Sequence, residues 1–337
     1  MTCYNPIECV YPYKPDSEGK MRLKFSKKYI YDCFNYDNVL FRLGQEEPVG
    51  FKIKVPCGHC IGCMIDRSRM WSLRSVDEAD AHKHNEFLTL TFNDKYINDS
   101  KSVSKVFLSQ FLKRFRYYYG DGIRFLAVGE YGEKKLRPHY HLLLYNFQFD
   151  DKYVYKYDYK RNIAYYRSPF LENKVWCDVS SKESLGFAII GDVNFQTSAY
   201  VARYCTKKLF NSKKARLAYF ADKEPEFLNY SRNYGLGLET FIEYHKDIMA
   251  RGYCTLRNGD KFIKMPVPRF YEDKAKLLFP NEYAEFKYKS LQFLIKSLFE
   301  ENLDNSTQRL KTREELKKLK VDKLIRSYEL DIDLHNI

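Results

Sequence analysis

Arg124-Phe125-Leu126-Ala127-Val128-Gly129-Glu130 and His139-Tyr140-His141-Leu142-Leu143-Leu144-Tyr145, joined by a basic loop from Glu133 to Pro138, form the stretch that decides the fold. Both segments read as strands, and the short loop between them favours an antiparallel hairpin. His139 and His141 are two positions apart, so both imidazoles leave the same face. Leu142 and Leu144 then occupy the opposite face, toward a core, and the histidines sit on the polar side. With Glu130 opposite His139, Val128 lies opposite His141. Directly paired residues share a face, so Glu130, His139 and His141 converge. Two imidazoles and one carboxylate leave coordination positions open for water or a phosphate oxygen, as a catalytic metal requires. An isolated His-x-His is equally compatible with ordinary hydrogen-bonded histidines.

Outward from this hairpin, Phe87-Leu88-Thr89-Leu90-Thr91-Phe92 alternates as a strand, ended by Asn93-Asp94. Ser104 to Tyr119 is an amphipathic helix with an apolar stripe of Phe107, Leu108, Phe111, Leu112 and Phe115, stopped at Gly120. Its other face carries Lys105, Lys113, Arg114 and Arg116, a solvated face or a contact for the DNA backbone. Residues 148–175 are a Tyr-rich insertion in which Tyr153, Tyr155, Tyr157 and Tyr159 alternate, predicting a hairpin that turns near Lys160-Arg161-Asn162. Phe187 to Val193 is a further strand. A helix is expected from about Ser198 to Phe210, with Thr197 or Ser198 as its N-cap, followed by a basic run from Asn211 to Arg216. Residues 1–56 read as irregular structure and short strands, and a helix as running from Ile65 to about His84. Beyond residue 220 the pattern is mostly helical. The expected class is α+β: a central antiparallel sheet with flanking helices, an N-terminal Cys-cluster segment (1–84), a core (85–220) and a helical C-terminal region (221–337).

The 337 residues suggest about two domains of roughly 150 residues. A mean hydropathy of −0.56 and the lack of a long apolar run argue against a membrane span. No secretory signal is expected from Met1-Thr2-Cys3-Tyr4-Asn5-Pro6. With 57 Lys+Arg against 44 Asp+Glu, the net charge of +13 favours an acidic partner, nucleic acid foremost, over simple solubility. Nine cysteines without a signal argue against a disulfide framework. Cys9, Cys33, Cys177, Cys205 and Cys254 are scattered, as small hydrophobes are. Cys57-Gly58-His59-Cys60-Ile61-Gly62-Cys63 supplies three thiolates just before a helix, where a structural zinc needs four ligands. His59, Cys9 and Cys33 are possible completions; an iron–sulfur cluster or plain buried cysteines are the other readings.

Ser198-Ala199-Tyr200-Val201-Ala202-Arg203-Tyr204-Cys205-Thr206-Lys207-Lys208 places Tyr200 and Tyr204 one helical turn apart. Such tyrosines can be core residues with their hydroxyls at the rim. A cation at Lys207 or Lys208 would favour the phenolate of Tyr204 and so a nucleophile. The ordered set Phe87–Phe92, Arg137-Pro138-His139-Tyr140-His141 and Tyr200-x3-Tyr204-x2-Lys207 resembles the three motifs of HUH endonucleases, the rolling-circle replication initiators. Met1-Thr2-Cys3-x2-Pro6, the cysteine cluster, Gly129-Glu130-Tyr131-Gly132 and Pro225-Glu226-Phe227 extend the similarity to the replication initiation proteins of gokushovirus-like microviruses, over roughly residues 1–240.

The resemblance implies an enzyme that nicks and rejoins single-stranded DNA at an origin, leaving a 5′-phosphotyrosine and a 3′-hydroxyl. It implies Tyr200 and Tyr204 as nucleophiles, Lys207 as positioning cation, and His139, His141 and, subject to register, Glu130 as ligands of Mg2+ or Mn2+. Cys3 becomes the candidate fourth zinc ligand beside Cys57, Cys60 and Cys63. Lys113, Arg114, Arg116, Arg137, Arg203 and Lys208 are the candidate DNA contacts. The implied partners are a single-stranded or supercoiled DNA origin, a host helicase, since no P-loop motif is present, and a host DNA polymerase; the implied location is the host bacterial cytoplasm, with no membrane. A non-catalytic zinc-stabilised nucleic-acid-binding protein and a related HUH transposase or relaxase are the alternatives.

Overall fold

The computed structural model describes residues 3–25, 33–36, 39–42, 44–97, 101–132, 136–160, 162–203, 223–258, 261–299 and 306–322. They form two compact units, Met1–Arg67 with Asp273–Ile325, and Ser68–Glu272 with Arg326–Ile337. In the first, strands β1 (Ile7–Pro12), β2 (Cys33–Tyr36), β3 (Val39–Arg42) and β4 (Pro48–Val55) make an antiparallel sheet in the order β1-β4-β3-β2. Helix α1 (Ile61–Asp80) starts earlier than the sequence suggests, so Cys63 lies inside it and only Cys57 and Cys60 precede it.

The second unit is built on a seven-stranded antiparallel sheet. Its strands are β5 (Asn85–Phe92), β6 (Arg124–Tyr131), β7 (Pro138–Tyr145), β8 (Tyr153–Asp158), β9 (Ile163–Arg167), β10 (Gly186–Asp192) and β11 (Phe227–Tyr230), in the order β11-β6-β7-β5-β10-β9-β8. Helix α2 (Lys105–Tyr119) covers one face. Ser104 caps it by accepting from the Phe107 N–H, and Gly120 closes it at φ 98°. Leu108, Phe111, Leu112 and Phe115 pack there with Leu88, Leu90, Leu142, Leu144 and Trp176. The other face is covered too. Phe87, Leu126, Val128, Leu143 and Tyr145 pack with Tyr200, Val201, Trp71 and Ala79. The histidine-bearing face is therefore a second core rather than a plain polar surface. It is graded along the strands, with threonines, histidines and Glu130 at one end and Leu143, Tyr145 and Phe87 at the other.

Helix α3 (Phe195–Ala202) also begins earlier than expected. Its N-cap is Asn194, which accepts from the Thr197 N–H while Thr197 accepts from the Asn194 N–H. Thr197 is thus the reciprocal partner and not the cap. Beyond residue 220 helices predominate, as in α4 (Leu238–Arg251) and in Pro280–Phe299 and Thr307–Asp322. Two β features interrupt them. Strand β11 joins the edge of the main sheet, and Tyr253–Asn258 pairs with Lys261–Pro266 as a hairpin. The β8–β9 hairpin forms as expected, but a register shift between Val154 and Lys156 breaks the tyrosine alternation.

Candidate functional site

The β6–β7 register pairs Glu130 with His139 and Val128 with His141, as the loop length and strand parity require. Strand β5 flanks β7 on its other side, pairing Thr91 with His139 and Thr89 with His141. Each threonine is matched to a histidine: Thr89 Oγ1 lies 2.9 Å from His141 Nδ1, and Thr91 Oγ1 2.9 Å from His139 Nδ1. Fixing Nδ1 orients both rings and makes Nε2 the nitrogen presented for ligation. Sequence reasoning passed over these threonines. Their signal was in Phe87–Phe92, where Thr89 and Thr91 interrupt an otherwise apolar strand on the face that pairs with the histidines.

Helix α3 lays Tyr200 over this end of the sheet. Its hydroxyl donates to Glu130 Oε1 at 3.2 Å and lies 3.2 Å from His141 Nε2. His141 Nε2 and Glu130 Oε1 are themselves 3.2 Å apart. The Tyr200 ring meets His141 edge-on at 5.0 Å, and Phe87 stacks on the other side of His141 at 5.8 Å. Glu130, His141 and Tyr200 are all buried. Tyr140, between the two histidines, is excluded as a nucleophile. It faces the α2 core, its hydroxyl accepts from the Ser104 N–H, and burial pushes its phenol well above the ordinary range.

His139 stands slightly apart. Its ring centroid is 6.3 Å from that of His141, and its Nε2 is close to Gly132, where an added Cβ would lie 2.9 Å away. Glu130, His139 and His141 therefore share one face, but their ligand atoms do not draw together to the spacing of a closed metal cluster. The donor chemistry nonetheless fits a small divalent cation. Two imidazoles held at Nδ1 and one buried carboxylate are an open two-histidine, one-carboxylate set.

The basic candidates divide. Lys113 is exposed on α2. Arg114 is turned inward, donating to the Val175 carbonyl at 3.1 Å and the Cys177 carbonyl at 2.7 Å. Arg116 donates to the Ile123 carbonyl and stacks over Phe125. Arg137 donates to the Phe92 carbonyl at 2.7 Å and pairs with Asp94. Arg203 lies over the Tyr200 ring, 5.8 Å from its centroid. Arg114 thus acts first as a clamp within the fold, which its place in a basic stripe did not reveal. Tyr204, Lys207 and Lys208, together with Cys205 and the run from Asn211 to Arg216, lie outside the described residues.

In the other unit, the ligand atoms of Cys3, Cys57, Cys60 and Cys63 lie within 4.8 Å of one another, a grouping unique among the described residues. The Sγ separations are 4.0 Å for Cys57–Cys63, 3.8 Å for Cys60–Cys3 and 3.5 Å for Cys60–Cys63. A tetrahedral zinc with Zn–S bonds of about 2.3 Å sets its sulfurs about 3.8 Å apart, so the cluster fits that ion. Backbone N–H groups of Tyr4 and Cys57 donate to the sulfurs of Cys60 and Cys3 at 3.3 Å each. Burial pushes the Cys60 thiol up, but N–H donors from Cys63 and Tyr4 outweigh it and bring it down to about 7. Burial raises Cys3 and Cys63. His59 is exposed, with Nδ1 2.9 Å from the Cys57 carbonyl, and is not part of the cluster. Cys9, Cys177 and Cys254 are buried elsewhere, as bystanders.

A family model described as a replication-associated protein of the ORF2 type matches residues 85–209, the span that contains all three motifs. Replication-associated protein VP4 of Bdellovibrio phage phiMH2K is 29% identical over 245 residues, covering 69% of this chain and 71% of that protein. Replication-associated protein ORF2 of Spiroplasma virus 4 is 31% identical over 241 residues, covering 68% and 70%. Replication-associated protein ORF4 of Chlamydia phage 1 is 26% identical over 258 residues, covering 72% and 58%. No solved structure matches.

Proposed function

The chain belongs to the replication-associated proteins of microviruses, and we propose that it starts rolling-circle replication by nicking and rejoining one strand of origin DNA. The observation that carries this reading is the Tyr200 hydroxyl, poised 3.2 Å from both Glu130 Oε1 and His141 Nε2 on a sheet face whose histidines are locked by threonines. A core tyrosine needs one hydrogen-bond partner. This one meets a buried carboxylate and an oriented imidazole at once, the surroundings of a phenol that is to lose its proton.

In the proposed step the Tyr200 oxygen attacks the scissile phosphorus. Its proton passes to Glu130 Oε1, already its acceptor. An O–P bond forms to tyrosine, the P–O3′ bond breaks, and the 3′ oxygen takes a proton from solvent and leaves as a hydroxyl. The phosphodiester is conserved as a 5′-phosphotyrosine, so rejoining needs no nucleotide cofactor. Mg2+ or Mn2+ held by His139, His141 and Glu130 would offset the charge that builds on the phosphate oxygens. Tyr204 is the second nucleophile of the pair in this reading, and Lys207 the cation beside it. Lys113, Arg137, Arg203 and Lys208 lead the strand to the site. Zn2+ at Cys3, Cys57, Cys60 and Cys63 ties the N-terminal segment to the start of α1. Unwinding and synthesis fall to a host helicase and polymerase, in the host cytoplasm.

The test is a labelled single-stranded origin oligonucleotide incubated with Mn2+ and run on a denaturing gel. The expected result is a covalent adduct that mass spectrometry maps to Tyr200 or Tyr204. DNA binding without an adduct under any divalent metal would overturn the reading in favour of a non-catalytic nucleic-acid-binding protein.

A further inference from the structure

The β8–β9 hairpin is not used by the chemistry above, yet its composition is unlike the rest of the surface. Residues 152–167 hold six tyrosines, five Lys or Arg and one acidic residue, Asp158. Tyr153, Tyr155, Tyr157 and Tyr159 are 48%, 39%, 38% and 87% exposed. Aromatic side chains of this size are normally buried, and a run of them at a surface marks an interaction site.

The register decides which of them work together. Tyr166 pairs with Ile190 and so belongs to the α2-covered face. Val154 pairs with Tyr166, whereas Tyr153 pairs with Arg167 and Lys156 with Tyr165. Tyr153, Lys156, Tyr165 and Arg167 therefore share the sheet face that carries His139 and His141. Tyr155, freed from the ladder by the irregularity, lies with its ring 5.0 Å below the Arg167 guanidinium. Glu172 holds that guanidinium in a two-pronged pair at 2.7 and 2.8 Å, which fixes the Arg–Tyr stack. In the strand order, β8 stands four steps from β7, about 19 Å across the sheet at about 4.8 Å per step.

We infer that this hairpin is a stacking platform for single-stranded DNA, holding the origin strand some way from the point of cleavage. Exposed tyrosines offer faces to bases of any sequence, and the interleaved cations match the phosphates; this pairing is how sequence-tolerant single-strand binding is built. The edge strand could in principle add a strand from a second copy of the chain. Its bulge and its lysines oppose that use, because both discourage edge-to-edge pairing. The inference rests on DNA as the partner and not on Tyr200 as the nucleophile.

The experiment uses the full chain and a labelled oligothymidylate with no added divalent metal, read by fluorescence anisotropy, so that binding is measured apart from cleavage. Tyr153→Ala, Tyr155→Ala and Tyr165→Ala combined should weaken binding by about tenfold or more, while the corresponding Phe substitutions keep it. Binding to a duplex of equal length should change far less. Unchanged affinity for the oligothymidylate, an equal loss on duplex, or loss of a dimer in sedimentation would overturn the proposal. Photocrosslinking of an iodouracil oligonucleotide to the unaltered chain is independent of how the variants fold. Crosslinks should map to 153–167, and crosslinks confined to other segments would overturn it.

Discussion

Two glycines three positions apart in Gly129-Glu130-Tyr131-Gly132 separate the site from its scaffold. Alanine at either position adds one methyl group, with different consequences. At Gly132 the new Cβ would lie 2.9 Å from His139 Nε2 and 3.4 Å from Cδ2. Comfortable contact between such atoms is about 3.5 Å or more, so the ring must swing by roughly half an ångström. It cannot do so and keep its 2.9 Å contact with Thr91 Oγ1. The loss of one hydrogen bond costs the fold about 1 kcal/mol. The effect on function is larger, since disturbing the group that orients a metal-binding histidine costs about 10–100-fold in affinity or activity. At Gly129 the new Cβ would instead lie 2.8 Å from Cε1 and Cζ of Phe227, a buried ring on the opposite face. Overpacking there costs about 1–3 kcal/mol of stability and leaves the histidines where they are. The assay is adduct formation on a single-stranded origin oligonucleotide across a Mn2+ titration, beside thermal unfolding. Gly132→Ala should need far more Mn2+ with little change in melting, and Gly129→Ala should melt earlier while cleaving normally per folded molecule. Adduct yield from Gly132→Ala that matches the parent at limiting Mn2+ would refute the role given to His139. So would an equal loss in Gly129→Ala while it is still folded.

Asp77 is buried beneath Tyr271, whose hydroxyl donates to its Oδ2 at 2.6 Å. Burial pushes its carboxyl up to about 7, against the pull of that donor. The folded state thus binds this proton more tightly than the unfolded chain, where an aspartate titrates near about 3.9. The stability so gained is whole below about pH 4 and lost by about pH 7, a span worth about 4 kcal/mol. Asp77→Asn keeps an acceptor for Tyr271 without the charge, and should lose much less stability than the parent in urea titrations between about pH 4 and pH 7; parallel losses would refute the assignment. For the cysteine cluster, elemental analysis should find about one zinc per chain, abolished by Cys3→Ser and kept in His59→Ala; the reverse pattern would exchange the fourth ligand.

What the sequence reveals follows from how local each constraint is. The Glu130–His139 pairing was legible because strand parity and one short loop determine it. Helix α2 was legible because its stripe, its serine cap and its terminal glycine agree. The start of α3 was missed because three hydroxyl or amide residues within five positions can each cap a helix, and only the reciprocal Asn194–Thr197 bonds choose among them. Strand β11 is four residues long and is made a strand by pairing with β6, about a hundred positions away in sequence. The bulge at Val154–Lys156 likewise depends on β9 and leaves no mark in the tyrosine alternation. The second core was hidden by the polar end of the same face. Leu143 and Tyr145 share the parity of the histidines, and reading only as far as His141 makes the face look polar.

That second core explains the precision of the site. The Tyr145 hydroxyl lies 2.7 Å from Ser75 Oγ, and Ser75 donates to Ser198 at 3.0 Å, inside a wholly buried cluster. This chain of hydroxyls links α1, β7 and α3 at one point. Ser198 is two residues before Tyr200, and Tyr145 is four residues beyond His141 on the same strand face. Val201 adds an apolar grip on Leu126, Val128 and Leu143. With the helix held on both its polar and apolar sides, the Tyr200 ring has one place to lie, over His141. The grading of the face from apolar to polar is thus functional. The apolar end supplies the packing that sets the helix, and the polar end receives the side chain that the packing delivers.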